Sequence, residues 1–408
     1  MTALPHREKR GRRRMTWVRR VPVLDWIRFG LLAAGVVFVL TGLLPAADAE
    51  AGLRRIAPLL VFLVAVIVLV ELTKTAQVFD VVAARMAIAG RGRYGRLFLL
   101  CTAFASLTTI FLNLDTTAVL LTPVMLALAV RSGIAALPLA MTTVWLANTA
   151  SLLLPVSNLT NLLAAKRVDL APRDFAARMW APQVVAIAVT MVALWFLYWR
   201  RGARGADAYE PPAPERVRDR VLCGAAAVAC LGFVAGVLAG VPVEFAAGGA
   251  ALALVLVFGV RDASALRPSL VPWRLLVFVT GLFLVVPVLV RFGLDAVMTA
   301  LIGTDDGLGG ALRASAVGAG LSNVINNLPA YTAGEPAVPL GHEDQLLALL
   351  IGTNVGPLVT PWASLATLLW FEWCRRFELT VPIGRFAAHG ALLAAVALPA
   401  SVAALVLL

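Results

Sequence analysis

The chain has 408 residues, 61% of them hydrophobic and 14% charged, with a net charge of +12. Soluble domains carry roughly a quarter charged residues, and the mean hydropathy of +0.88 excludes a soluble globular fold. The basic residues fall in short clusters between apolar runs, which is topology information and predicts no nucleic-acid partner.

Arg7, Lys9, Arg10, Arg12, Arg13, Arg14, Arg19 and Arg20 mark residues 1–20 as a basic cytoplasmic N-terminus. The segment is too basic and too long before its apolar run for a signal peptide, so residues 21–44 read as a retained first span. Further runs at 56–70, 182–199 and 387–408 suit a bilayer that about twenty residues cross. Asp48 and Glu50 occupy the outer turn, and the second span ends near Lys74. Arg85, Arg91, Arg93 and Arg96 return the chain to the cytoplasm, as do Arg261/Arg267 and Arg375/Arg376/Arg385. The insert at 200–220, with Pro211, Pro212 and Pro214, reads as a cytoplasmic linker between a first repeat (21–199) and a second repeat with one extra helix (221–408).

These charges fit together only if residues 97–130 form a hairpin entering from the cytoplasm and residues 311–340 one entering from outside. The expected fold is therefore all-α: nine crossings, two re-entrant hairpins and two broken helices, in the plasma membrane, with the C-terminus outside. Arg54/Arg55 and Lys166/Arg167/Arg173/Arg178 fall on the outer side as exceptions.

The halves repeat. WLANTASLLLPVSNLTNLL (145–163) lies gaplessly over IGTNVGPLVTPWASLATLL (351–369), so that Asn148 meets Asn354 and Pro155 meets Pro361. LTKTAQVFDVV (72–82) resembles LVRFGLDAV (289–297), setting Asp80 against Asp295, and FLNLDTTAVLLTP (111–123) faces LSNVINNLPAYTA (321–333). Same order with opposite predicted orientation is the pattern of inverted-repeat secondary transporters.

Helix breakers (Pro155, Gly352, Gly356, Pro357, Pro361) stand among Asn148, Ser157, Asn158, Thr160, Asn161, Thr353, Asn354, Ser364 and Thr367. Irregular backbone is tolerated at membrane depth only inside protein or beside water. Broken ends offer N–H and C=O groups to a polar solute or a cation without many charged side chains. Packing by small polar residues is the plainer reading for any single Ser or Thr. Asp115 stands apart, because a carboxylate in an apolar hairpin is costly unless neutralised or paired. It is the expected ion-coupling residue, poised for proton exchange; its counterparts in the second half are the amides Asn326 and Asn327.

Glu71 and Lys74 read as an i,i+3 ion pair, Arg291 as a snorkelling side chain and His389 as interfacial. Trp17, Trp26, Trp180, Trp195, Trp199, Trp273, Trp370 and Trp373 read as an aromatic belt. Cys101, Cys223, Cys230 and Cys374 show no metal spacing and read as reduced thiols, Cys374 in a cytoplasmic turn.

Together NLDTTAVLLTP, ANTASLLLPVSNLTNLL, LSNVINNLPA and GTNVGPLVTPWASLATLLW resemble the arsenite permease (ArsB-type) branch of the ion transporter superfamily, related to the divalent anion–sodium symporters. The resemblance runs from about residue 21 onward. It implies scaffold and transport domains, an elevator-type movement, a homodimer and a soluble ATPase partner. Two departures stand out. The family's Asn-Asp pair at the first tip is here Asn113-Leu114-Asp115, and the acid expected in the second broken helix is Asn354.

The expected function is secondary transport of a small inorganic solute: proton-coupled efflux of arsenite or antimonite, whose neutral hydroxide needs hydrogen-bond partners rather than arginines. The solute would be lined by Asn113, Thr116, Asn148, Ser157, Asn158, Asn161, Ser322, Asn323, Asn326, Asn327, Thr353 and Asn354, with Asp115 exchanging the ion. Sodium- or proton-coupled transport of sulfate or a dicarboxylate, and sodium/proton antiport, are the rivals; a non-transport membrane protein is a remote third. No catalytic dyad, metal site or cofactor motif is present in the sequence, so the chain does not read as an enzyme.

Overall fold

The computed structural model describes residues 23–200, 208–213 and 216–408; the basic segment 1–20, Trp17 and part of the linker lie outside the described residues. Those residues are helical throughout, with no strand among them. The first half comprises α1 (Val23–Leu40), α2 (Ala46–Thr75), α3 (Val78–Gly90), the arms α4 (Tyr94–Leu112) and α5 (Leu114–Arg131), α6 (Ala136–Thr149), α7 (Leu159–Arg167) and α8 (Pro172–Leu194). A π turn, Trp195–Trp199, carries α8 to the linker. The second half comprises α9 (Arg220–Leu238), α10 (Val243–Arg261), α11 (Trp273–Leu289), α12 (Asp295–Ile302), the arms α13 (Gly307–Ile325) and α14 (Asn327–Gly334), α15 (Glu343–Val355), α16 (Leu365–Arg376) and α17 (Ile383–Leu407). Among the described residues eight helices are long and apolar enough to cross a membrane, both arms of the first hairpin included, and the two hairpins and the broken helices α6–α7 and α15–α16 expected from sequence are present.

The helices sort into two groups by packing. Helices α1, α2, α9, α10 and α11 pack on one another, and the hairpins, broken helices, α8 and α17 form the other body. In the first group α1 and α11 cross almost backbone to backbone. A Cβ on Gly281 would lie 2.6 Å from the Leu32 nitrogen, the small-residue approach by which membrane helices gain van der Waals contact. The short helices α3 and α12 join the groups, each packing against the hairpin that follows it. Each begins at a backbone reversal, Gln77 at φ 63° and Gly293 at φ 100°.

The hairpins enter from opposite ends. Helix α8 with its π turn spans 28 residues, about 42 Å at 1.5 Å per residue. Near its start Arg178 pairs with Asp344 at the head of α15, close to the base of the second hairpin. At its far end Trp195 and Trp199 pack on Phe98, near the base of the first, both with ring centroids 5.3 Å away. Of the basic residues that break the charge pattern, Arg54 pairs with Glu50 at 2.6 Å and Arg178 with Asp344; Arg291, at the same end, pairs with Asp48. Arg291 therefore does not simply snorkel.

Other local expectations change. Residues 78–90, read as cytoplasmic connection, are the helix α3. Trp199 and Trp370 are fully buried rather than in an interfacial belt. They donate to Thr142 Oγ1 (2.9 Å) and to the Ala140 carbonyl (2.8 Å), anchoring α6 from two sides. Cys374 lies buried in α16, not in a turn, and all four cysteines are free thiols. Glu71 and Lys74 do pair, at 3.6 Å, and His389 Nδ1 meets the Tyr198 hydroxyl at 2.8 Å.

Candidate functional site

The hairpin tips are built alike. Asn113 separates α4 from α5 at φ 98°, ψ 151°, and Asn326 separates α13 from α14 at φ 96°, ψ 152°. Each side-chain oxygen caps the helix it opens: Asn113 accepts from Asp115 N–H at 2.8 Å and Asn326 from Leu328 N–H at 3.4 Å. This corrects the register read from sequence. The tips align Asn113 with Asn326, so the counterpart of Asp115 is Leu328, not an amide.

The broken helices keep the gapless alignment. Helix α6 ends at Thr149 and α15 at Val355; α7 is capped by Asn158 and α16 by Ser364. At the centre sits Asn354, fully buried. Its Oδ1 accepts from Asn158 Nδ2 and from Thr160 Oγ1, both at 2.8 Å, and its Nδ2 donates to Asn161 Oδ1 at 2.6 Å. Asn161 in turn donates to the carbonyls of Ser151 (2.8 Å) and Leu154 (2.9 Å). The knot accounts for buried backbone groups that no helix satisfies. Its counterpart is looser: Asn148 reaches Thr367 Oγ1 at 3.4 Å, and Asn148 Oδ1 is buried with no hydrogen-bond partner.

The remaining sequence candidates divide by place. Ser157 ties the first break to the first hairpin through the Ile110 carbonyl (2.7 Å). Ser322 and Thr353 bond back to their own helices, at Gly318 (2.7 Å) and Leu350 (3.0 Å). Asn323 bridges to the second break, Asn326 donates to the Trp362 carbonyl (2.9 Å) and Asn327 N–H to that of Ala363 (2.8 Å). Most of these amides are thus engaged in holding irregular backbone.

Three candidates border a cavity of about 280 Å³: Asn113, Asp115 and Thr116. Helix α16 begins on the same side, contributing Leu365 and Leu369, and its Ala366 packs with Leu114 and Ala118 on the turn that carries Asp115. The carboxylate therefore faces the positive end of a helix from the opposite repeat. Glu71, Arg28 and Arg274 also line the cavity. Arg28, Arg274, Leu365 and Leu369 border in addition a larger chamber of about 990 Å³ near Glu372, Arg375 and Arg376. The two volumes share these four residues, and the larger extends along α16 to the end that carries Arg375 and Arg376. Among the described residues no cluster of His, Cys, Asp or Glu could hold a metal ion.

The citrate transporter family model, CitMHS, matches residues 22–367. The chain belongs to that family. It is 30% identical over 371 residues to the arsenical pump membrane protein of Escherichia coli K12, covering 84% of this chain and 85% of the relative. The protein of the same name in Yersinia enterocolitica is 30% identical over 376 residues, with the same coverage. An uncharacterized transporter of Mycobacterium tuberculosis is 27% identical over 360 residues, 82% of each chain. The fold matches the crystal structure of the YdaH transporter of Alcanivorax borkumensis with a TM-score of 0.59 at 17% identity, covering 94% of this chain and 97% of that one. The chain is a multi-pass secondary transporter of the CitMHS and arsenical-pump type, as its motifs imply.

Sequence reasoning passed over Gln183, Arg28, Arg274 and the capping role of Ser364. The first carried a usable signal, since a Gln beside Pro182 in an otherwise apolar helix asks for a buried partner.

Proposed function

We propose that the protein exports arsenite or antimonite as the neutral hydroxide in exchange for protons, with Asp115 carrying the proton. The observation behind this is the Asp115 carboxylate at the first hairpin tip, bordering a cavity of about 280 Å³ with Asn113, Thr116, Glu71 and the start of α16. A neutral trihydroxide can donate to the carboxylate and accept from an amide N–H in such a place. Protonation of Asp115 removes the charge that the α16 N-terminus favours, so proton and solute compete for one site. The end to which the cavity opens carries the Arg91/Arg93/Arg96 and Arg375/Arg376 clusters, and we assign it to the cytoplasm, with the C-terminus outside. The transporter is then open inward, the state that loads an exported solute. Movement of the hairpin-bearing body against the α1–α2–α9–α10–α11 body, pivoting at Gln77 and Gly293, would carry the site across.

The test is arsenite uptake by everted vesicles under an imposed proton gradient. Gradient-dependent uptake in the wild type that disappears in Asp115→Asn supports the assignment, and full coupled uptake by that variant sinks it. A second reading, coupled transport of a small anion such as sulfate or a dicarboxylate, draws on Arg28 and Arg274 bordering the same cavity. Sodium- or proton-dependent anion uptake without arsenite transport would favour it.

A further inference from the structure

At each helix break one carboxamide bonds two N–H groups and one C=O that helical bonding leaves unsatisfied. At the first break Gln183 Oε1 accepts from the N–H groups of Leu152 (2.7 Å) and Leu153 (3.0 Å), while its Nε2 donates to the Thr149 carbonyl (3.0 Å). At the second, Asn323 Oδ1 accepts from the N–H groups of Val359 (3.2 Å) and Thr360 (3.0 Å), while its Nδ2 donates to the Gly356 carbonyl (2.8 Å). The chemistry is the same, but the two side chains come from different places. Gln183 stands on α8, a crossing helix. Asn323 stands on α13, an arm of the second hairpin. On α17 the residue packed on the second break is Gly390, where a Cβ would fall 1.9 Å from the Leu358 carbonyl oxygen, so α17 supports that break with bare backbone.

The second break leads into Ser364, the cap of α16, and Ala366 packs with Leu114 and Ala118 on the turn that carries Asp115. Asn323 is therefore linked through residues 356–366 to a carboxylate on the other hairpin. The Asn323 carbonyl strengthens this link by accepting from Thr360 Oγ1 and Trp362 Nε1, both at 2.9 Å. Gln183 itself bonds only within residues 149–153; the tie of the first break to the first hairpin is Ser157 Oγ to the Ile110 carbonyl (2.7 Å), which Gln183 does not touch.

We infer that Asn323 is a positioning residue that transmits the state of the second hairpin to the Asp115 site, whereas Gln183 holds the first break without that influence. The inference rests on the reading of Asp115 and the α16 N-terminus as the site, but not on the solute. It predicts a one-sided coupling. Displacing the second hairpin loosens the α16 N-terminus and the tip of the first hairpin; removing the Gln183 carboxamide, which leaves the Ser157 tie to Ile110 in place, does not.

The test is amide hydrogen exchange on the full-length protein in lipid nanodiscs, for the wild type and for Asn323→Ala, Asn323→Asp and Gln183→Ala. In Asn323→Ala, exchange should rise about tenfold, the mark of a local opening, in residues 356–366 and also at residues 113–116. Asn323→Asp keeps the acceptor for Val359 and Thr360, so it should restore protection at 113–116. Gln183→Ala should raise exchange at 149–154 alone. Unchanged exchange at 113–116 in Asn323→Ala, or an equal rise there in Gln183→Ala, overturns the inference. Should Asn323→Ala not fold, Asn323→Ser takes its place: a rise at 356–366 accompanied by a rise at 113–116 supports the inference, and a rise at 356–366 with the tip unchanged overturns it. Arsenite uptake by the same proteins separates the readings. Coupled exchange without arsenite transport removes the solute and keeps the latch; arsenite transport with an indifferent tip does the reverse.

Discussion

Asn113 and Asn326 hold the same backbone conformation, φ 98° with ψ 151° and φ 96° with ψ 152°, and each caps the helix that follows it. Side-chain-bearing residues pay about 1–3 kcal/mol to sit in this region, which suits glycine. Asparagine offsets the strain by supplying the capping oxygen. Asn113→Ala keeps the strain and loses the cap, and should cost about 1–2 kcal/mol. Asn113→Gly loses the cap but relieves the strain, so its melting temperature in detergent should stay near wild type. Equal losses in the two variants would contradict this account.

Asn354 holds the central knot. Truncation to Ala strands the amides of Asn158 and Asn161 and the hydroxyl of Thr160 in a buried setting. Interhelical hydrogen bonds within membranes contribute on average about 0.6 kcal/mol each, but orphaned buried groups cost more. Together these predict about 2–3 kcal/mol of lost stability. The check is denaturant unfolding in mixed micelles, where Thr353→Ala, whose hydroxyl bonds only to its own helix, should lose much less.

Asp219 caps α9 outside the membrane span. It accepts from the N–H groups of Val221 (2.8 Å) and Leu222 (3.1 Å) and from Arg261. The Leu222 amide, followed by Arg261, holds its carboxyl below the ordinary value. A depressed folded value means that the stabilisation is present above the unfolded pKa and lost as pH falls through the folded one. The difference in melting temperature between wild type and Asp219→Ala should therefore be full at neutral pH and shrink on acidification below the usual carboxylate range. A difference independent of pH would show that the ionised cap is not what matters.

The linker is held by Tyr209, whose hydroxyl donates to the Ala87 carbonyl at 2.6 Å. A Cβ on Gly90 would lie 2.0 Å from that hydroxyl oxygen. Gly90→Ala should displace the linker and speed its limited proteolysis about tenfold. Tyr209→Ala should do the same, and because the two act through one contact the double variant should be no worse than Tyr209→Ala alone. Additive effects would show that Gly90 has some other role.

Much of this was legible before any coordinates. The break between α6 and α7 and the one between α15 and α16 were marked by Pro155, Gly356 and Pro361 among asparagines, and the gapless alignment that pairs Asn148 with Asn354 survives in the caps. The hairpins were forced by charge, since Arg91–Arg96 and Arg375/Arg376 cannot otherwise share a side. Two tryptophans misled, because Trp199 and Trp370 have the composition of an interface and the packing of a core. The tip register misled as well. Asn113 and Asn323 look alike as letters, but only a backbone dihedral reveals that Asn326 is the reversal.

The sequence by itself determined the membrane fold, the repeat and the carboxylate at the first hairpin tip, because hydropathy, breakers and charge are local properties that an apolar solvent enforces strongly. Only the tertiary structure decided which polar groups remain for a solute. Hydrogen-bond satisfaction depends on partners far apart in the chain, and Asn158, Asn161, Asn323 and Asn354 are occupied by helix breaks that no local pattern assigns to them. Of the polar hairpin and break residues, Asn113, Asp115 and Thr116 are left facing the cavity, opposite a helix N-terminus contributed by the other half, with Arg28, Glu71 and Arg274 also at its border.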